Sequence, residues 1–164
     1  MIDNLLEKMG CLSIICTMKQ PKKVTIYTDG ACSGNPGKGA YAAIILYKDR
    51  RKIIKGACSR TTNNKMELTA AIKALESLTE PCEVMLYTDS AYLVGGMTGW
   101  IAAWKKNGWK TAGKKSVKNR ELWERLSLLN KRHNIRWIKV AGHSGNELNE
   151  LCDKLAKEQI GLIE

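Results

Sequence analysis

The sequence predicts an α/β domain built on one mixed sheet of five strands. Short apolar runs bounded by turn residues recur at 24–28, 40–47, 51–59, 83–88 and 135–140, the pattern of strands. Stretches with apolar residues three and four apart follow the third, fourth and fifth runs, the pattern of amphipathic helices. The order, three strands, a helix, a strand, helices, a strand and a last helix, is that of a layered α/β unit. At 164 residues the chain suffices for one domain that buries a core without disulfides or a structural metal. Its 44% hydrophobic and 26% charged residues fit neither a disordered nor a collagen-like nor a membrane-embedded chain.

The first strand, 24–28, runs into Asp29-Gly30, a turn signal. Gly30, Gly34, Gly37 and Gly39, with Asn35-Pro36 among them, then read as a tight loop that exposes its backbone. Strands 40–47 and 51–59 are joined by the polar Lys48-Asp49-Arg50 as an antiparallel pair. Thr61 to Asn64 offers capping side chains to a helix with the stripe Leu68, Ala71, Ile72, Leu75 and Leu78, which ends before Pro81. The strand 83–88 closes on Asp89-Ser90 as the first closes on Asp29-Gly30, and both ends read Tyr-Thr-Asp. Helical pieces follow, broken at Gly95-Gly96, Gly108 and Gly113, and then a helix over 119–131 with the stripe Leu122, Leu126 and Leu129. Strand 135–140 leads through Gly142-His143-Ser144-Gly145 to a C-terminal helix whose packed side is Leu148, Leu151, Cys152, Leu155 and Gln159.

Lys and Arg number 27 against 16 Asp and Glu, a net charge of +11 that points to an anionic partner. From Ser90 to Arg120 there is no acid, while Lys105, Lys106, Lys110, Lys114, Lys115, Lys118 and Arg120 supply +7 of that total, which leaves the remainder near balance. A solvated basic face is the ordinary meaning of such a run, but Trp100, Trp104 and Trp109 stand among these lysines, and rings beside cations suit a nucleic-acid backbone. The six cysteines show no zinc-finger spacing, so reduced thiols and a cytoplasmic location are expected. Residues 1–17 precede the domain, 18–164. They lack the basic start of a signal peptide and are too short to span a membrane. They read either as an extension outside the domain or as translation upstream of a start at Met18. A monomer with no membrane or protein partner is the default.

Asp29 and Asp89 each end a strand. If those strands are parallel neighbours, their carboxylates share the sheet edge where open α/β sheets bind ligands. A turn or a helix cap explains either acid taken alone. Glu67 lies in the first turn of its helix at the border of the apolar stripe, where the helix dipole also favours an acid. Asp153 falls in mid-helix on a face with Ala156 and Ile160, where an unpaired carboxylate is costly. Four carboxylates bordering a core need a counter-charge. A hard divalent cation such as Mg²⁺ supplies one, and it completes its shell with water and substrate phosphate. His143, in a glycine-flanked turn, reads either as a proton shuttle or as a helix-entry residue, and His133 reads as a surface residue.

These residues in this order make the chain closely resemble ribonuclease H type 1, the bacterial-like form. The motifs are Tyr-Thr-Asp-Gly-Ala with Gly34-Asn35-Pro36-Gly37, Thr61-Thr62-Asn63-Asn64-Lys65-Met66-Glu67-Leu68, Thr88-Asp89-Ser90, Gly142-His143-Ser144-Gly145 and Asn149-Glu150 with Cys152-Asp153. The resemblance implies a ribonuclease H-like fold, with three antiparallel strands, then two parallel ones, flanking helices and a basic handle. It implies endonucleolytic hydrolysis of the RNA strand of an RNA/DNA hybrid, leaving 5'-phosphate and 3'-hydroxyl ends. Asp29, Glu67, Asp89 and Asp153 match the family's carboxylates for two Mg²⁺ ions, with Mn²⁺ as a substitute. Asp29 would bridge the pair, and His143 would assist proton transfer or product release. By the same match Cys32, Asn35, Asn63 and Asn64 would contact the hybrid's minor groove and Thr62 a DNA phosphate. Trp100, Trp104, Lys105, Lys106, Lys114 and Lys115 would grip the DNA strand. Ala91 stands where bacterial relatives often carry a groove-contacting Gln, and Gly95-Gly96 replaces a polar-Gly pair, so substrate affinity rather than chemistry is expected to differ. The alternative function is a non-catalytic nucleic-acid-binding module on the same fold.

Overall fold

A computed structural model describes residues 20–142 and 145–163. Residues 1–17 and His143 therefore lie outside the described residues. Five strands, β1 (Lys22–Gly34), β2 (Gly37–Tyr47), β3 (Arg50–Thr61), β4 (Cys82–Thr88) and β5 (Asn134–Lys139), form one sheet in the order β3-β2-β1-β4-β5. The pairs β1–β2 and β2–β3 are antiparallel, and β1–β4 and β4–β5 are parallel, as expected. The helices are α1 (Asn63–Glu76), α2 (Ala91–Gly95), α3 (Ile101–Lys106), α4 (Arg120–Arg132) and α5 (Glu147–Ile160).

Thr62 caps α1, its Oγ1 accepting from the Lys65 N–H at 3.4 Å, and the helix buries Leu68, Ala71, Ile72 and Leu75. α4 adds Trp123, Leu126 and Leu129. These stripes close over Val24, Ile26, Val84 and Leu86 of the sheet to make the main core. α5 covers the other face over β1, β2 and β3. There Ala31, Ala42, Ala156 and the buried Cys152 are small enough to bring the helix close. Cys32, Cys58, Cys82 and Cys152 are free thiols. Among the described residues no helix is long and apolar enough to cross a membrane.

The chain departs from the sequence-based expectation at four places. The glycines from Gly30 to Gly39 do not form a loop, because β1 continues to Gly34 and β2 starts at Gly37. Gly30 is needed for close approach: a Cβ there would lie 2.3 Å from the Glu67 backbone nitrogen, so β1 passes directly under the start of α1. Gly95-Gly96 does not break the helix. α2 runs through a π-helical turn, Gly96–Trp100, into α3. Gly96 is there because a Cβ would come within 2.2 Å of the buried Trp123 ring. His133 is not on the surface but 3% exposed, and its Nδ1 accepts from the Cys82 N–H at 3.2 Å. Finally, the charge outside Ser90 to Arg120 is not near balance. Of the +11, +4 is left over, and residues 48–60 alone carry +5, because Lys48, Arg50, Arg51, Lys52, Lys55 and Arg60 face one acid, Asp49; the rest of the chain sums to −1. Nearly all of β3 is exposed at the sheet edge, and cations there discourage edge-to-edge pairing.

Candidate active site

The parallel register of β1 and β4 sets Tyr27 beside Tyr87, and their rings stack with centroids 4.8 Å apart. Side chains repeat every second residue along a strand, so Asp29 and Asp89 follow on the same face at the end of the paired strands. The repeated Tyr-Thr-Asp is the sequence image of that register. Asp29 is 5% exposed, and its Oδ1 accepts from the Gly30 N–H at 2.9 Å. Glu67 arrives from the second turn of α1, not from the first as expected, because the helix starts at Asn63 and its first turn holds no acid. It reaches the site across Gly30, and Asp153 comes from α5. Burial pushes the Asp29 carboxyl up to about 8, and repulsion from Asp89, Asp153 and Glu67 adds to this against the Gly30 N–H. Burial likewise raises Glu67, opposed by the Ser90 hydroxyl and reinforced by Asp89. Asp29 thus feels each of the other three expected acids.

A hard divalent cation fits this donor set. Every candidate ligand is a carboxylate oxygen, and an acid raised to about 8 by burial, with other acids adding to the shift, marks a place short of positive charge. Among the described residues, however, no three side chains converge into a ready metal cage. The reason lies in the partners of two of the acids. Glu67 Oε1 accepts from Asn63 Nδ2 at 2.8 Å while its Oε2 accepts from the Ser90 hydroxyl. Asp153 Oδ2 accepts from Lys157 Nζ at 2.6 Å. Mg²⁺ needs only one or two carboxylates beside water and phosphate, so an incomplete cage suits it.

Beside the acids lies a groove of about 730 Å³. Of the expected substrate residues, it brings together Asn35, Thr62, Asn64, Trp104 and Lys115. Asn35 Oδ1 accepts from the Asn63 N–H at 3.4 Å, which ties the β1–β2 turn to α1. Cys32 is committed to the sheet, its thiol donating to the carbonyls of Thr61 and Gly37 at 3.5 and 3.7 Å. Trp104 packs edge-on against Trp123, and Trp100, 45% exposed, tilts against Trp104. Lys105 turns to α4, where Nζ donates to the buried Ser127 hydroxyl. Lys106 and Lys114 are exposed and do not line the groove.

The family model described as RNase H matches residues 21–161. The chain belongs to the ribonuclease H family. It is 61% identical over 140 residues to the ribonuclease H of Acetivibrio thermocellus, covering 85% of this chain and 95% of that protein. Identity to the ribonuclease H of Bradyrhizobium diazoefficiens is 56% over 143 residues, covering 87% and 93%. The crystal structure of LC9-RNase H1, a type 1 RNase H with the type 2 active-site motif, aligns with a TM-score of 0.78 at 30% identity over 86% of this chain and 73% of that one. LC11-RNase H1, solved in complex with an RNA/DNA hybrid, shares the fold at a TM-score of 0.64 and 24% identity over 85% of this chain and 97% of that one.

In this ribonuclease H three residues near the acids and the groove escaped the sequence reading. Lys157 stands four positions after Asp153, a spacing that makes helical ion pairs and was legible. Ser90 reaches Glu67 from another element, with no local signal. Asn119, in the left-handed conformation at φ 57°, lines the groove and donates to the Tyr92 hydroxyl at 3.4 Å, also without a local signal.

Proposed function

We propose that this ribonuclease H cuts the RNA strand of RNA/DNA hybrids with Asp29, Glu67, Asp89 and Asp153 as the ligands of two divalent cations, leaving 5'-phosphate and 3'-hydroxyl ends. Ribonuclease H activity on RNA/DNA hybrids comes with the family; the division of labour among these residues is the proposal. The observation that carries it is the Asp29 carboxyl, buried and raised to about 8 among three further acids, just past the point where the pairing of β1 with β4 ends. A pure binding module gains nothing from acids gathered where phosphates must come, so catalysis is favoured over the non-catalytic reading.

Mg²⁺, or Mn²⁺ in its place, supplies water activation and stabilisation of the leaving 3'-oxygen when bound. Asp29, at the centre of the acids, is the residue suited to bridge. Asn63 and Ser90 orient the Glu67 carboxylate, and their N–H and O–H groups fix which oxygens remain open. Asn35 and Asn64 present amides to the groove, where an amide can test for the 2'-hydroxyl that separates RNA from DNA. Lys115 and Trp104 offer charge and a ring face to the DNA strand, with Thr62 beside them for a phosphate. His143 is assigned proton transfer or product release. Incubation with labelled RNA/DNA hybrid, RNA duplex and DNA duplex, each with Mg²⁺ or chelator, tests the reading. Cleavage of the hybrid alone, dependent on the cation, is expected. Asp89→Asn should abolish turnover yet leave hybrid binding within about threefold, because the groove contacts remain. Undiminished cleavage by that variant would remove Asp89 from the site.

A further inference from the structure

Two of the four acids are already held by side-chain partners among the described residues, and the partners differ in kind. Glu67 is held by neutral donors, Asn63 and Ser90. Asp153 is held by a cation, the Lys157 ammonium, one turn along α5 at 2.6 Å. That ammonium also feels Asp29, so it belongs to the acid cluster and not to α5 alone. Its side chain is 60% exposed against 24% for Asp153, so it meets the acid from the solvent side, the side from which an incoming ion would arrive. The next lysine on the helix makes the contrast. Lys154, 72% exposed, pairs loosely with Glu158 at 4.0 Å and touches none of the four acids. A helical pair four residues apart adds only a few tenths of a kcal/mol when both partners are solvated. Here one partner is a half-buried acid beside Asp29, which has no cation paired to it among the described residues.

We propose that Lys157 is a positioning residue that serves as an internal cation at Asp153, neutralising that carboxylate in the free enzyme until a divalent ion displaces the ammonium. Cation uptake at Asp153 is then the weaker binding event of the site, and uptake at Asp29 and Asp89 precedes it. Displacement costs the ion pair, so the free protein is held short of full loading at low cation concentration. The inference rests on the carboxylate assignment under Proposed function.

The test titrates the full chain with Mg²⁺ and with Mn²⁺ and follows the cation-dependent rise in melting temperature and the heat of binding in the absence of substrate. Lys157→Ala should bind the cation roughly two- to fivefold more tightly at the weaker event, the factor corresponding to a surface ion pair. Lys157→Arg, which keeps the charge, should stay near the unsubstituted protein. Lys154→Ala removes the same charge from the same helix and should change affinity by much less. Unchanged or weakened binding in Lys157→Ala, or an equal gain in Lys154→Ala, overturns the inference. Asp153→Asn separates the two levels. If it abolishes the weaker event while Lys157→Ala gains nothing, only the role of Lys157 falls. If both Asp153→Asn and Asp89→Asn leave cation binding intact, the carboxylate assignment falls with it.

Discussion

Asp29 shows how a single side chain carries the conflict between folding and function. Its carboxyl ordinarily titrates at 3.8 but is raised to about 8 by burial and by three other acids. Between those values the folded protein holds a proton that the unfolded chain releases, so this group makes stability fall as pH rises. In chelator, the melting temperature should therefore drop from about pH 5 to about pH 8, and Asp29→Asn should flatten that drop, melt higher at about pH 8 and cleave no hybrid. Equal pH slopes in the two proteins would show that the repulsion is absent. A divalent ion should restore stability to the unsubstituted protein at the upper end of the range. At this scale the sequence was most legible where a motif repeats: two Tyr-Thr-Asp runs announced two acids at matching positions of paired strands, although β1 runs on past Asp29 instead of ending there. It was least legible for Glu67, whose partner Ser90 lies 23 positions away and is brought to it by the β4–α2 turn.

Elements were legible where their period was undisturbed. The α1 stripe from Leu68 to Leu75 and its Thr62 cap are where spacing put them, with Leu78 falling past the helix end at Glu76, and five strands form as expected, because apolar periodicity is a local property. Glycine misled at both ends of the reading, since its two uses, freedom and smallness, look identical in sequence. Gly96→Ala tests smallness. The added methyl must displace the buried Trp123 ring, and overpacking of about 1–3 kcal/mol should lower the melting temperature by roughly 2–10 °C without altering cation affinity. A melting temperature within a degree of the unsubstituted protein would mean that the ring yields freely. His133 joins the end of α4 to the start of β4 through the Cys82 N–H. Burial first, then Arg132, lowers its pKa below 6.5, so the folded state keeps it neutral while the unfolded chain takes up a proton. Its contribution is complete above about 6.5 and is lost as pH falls through the lowered value. His133→Gln, which retains an acceptor for Cys82, should lose less stability on acidification than the unsubstituted protein, as followed by circular dichroism from about pH 7 to about pH 5.

For the molecule as a whole, the net charge of +11 divides into two basic regions with different surroundings. The segment from Ser90 to Arg120 flanks the groove, where Lys115 and Lys118 stand with Thr62 and Asn64, while the β3 cations line a bare sheet edge. Lys115→Ala with Lys118→Ala should reduce the slope of log affinity against log salt by about 1–2 for a hybrid, since each lost phosphate contact releases roughly one fewer counterion. Lys52→Ala with Lys55→Ala should leave the slope alone, and Lys105→Ala should act on stability through Ser127. A slope that responds equally to both pairs would count against the groove as the backbone grip. The sequence by itself determined the five strands, the cap of α1 and the family, and it singled out the four acids on which the proposed function rests, because periodicity, capping and motif spacing are written in neighbouring residues. Only the tertiary structure decided that β1 and β2 run through their glycines, that α2 and α3 join past Gly96, and that His133 is buried. It also decided that Asp153 and its helical partner Lys157 come close enough to Asp29 to act on it. Register, close approach and charge pairing depend on which elements become neighbours, and that is fixed when the two helical layers close on the sheet.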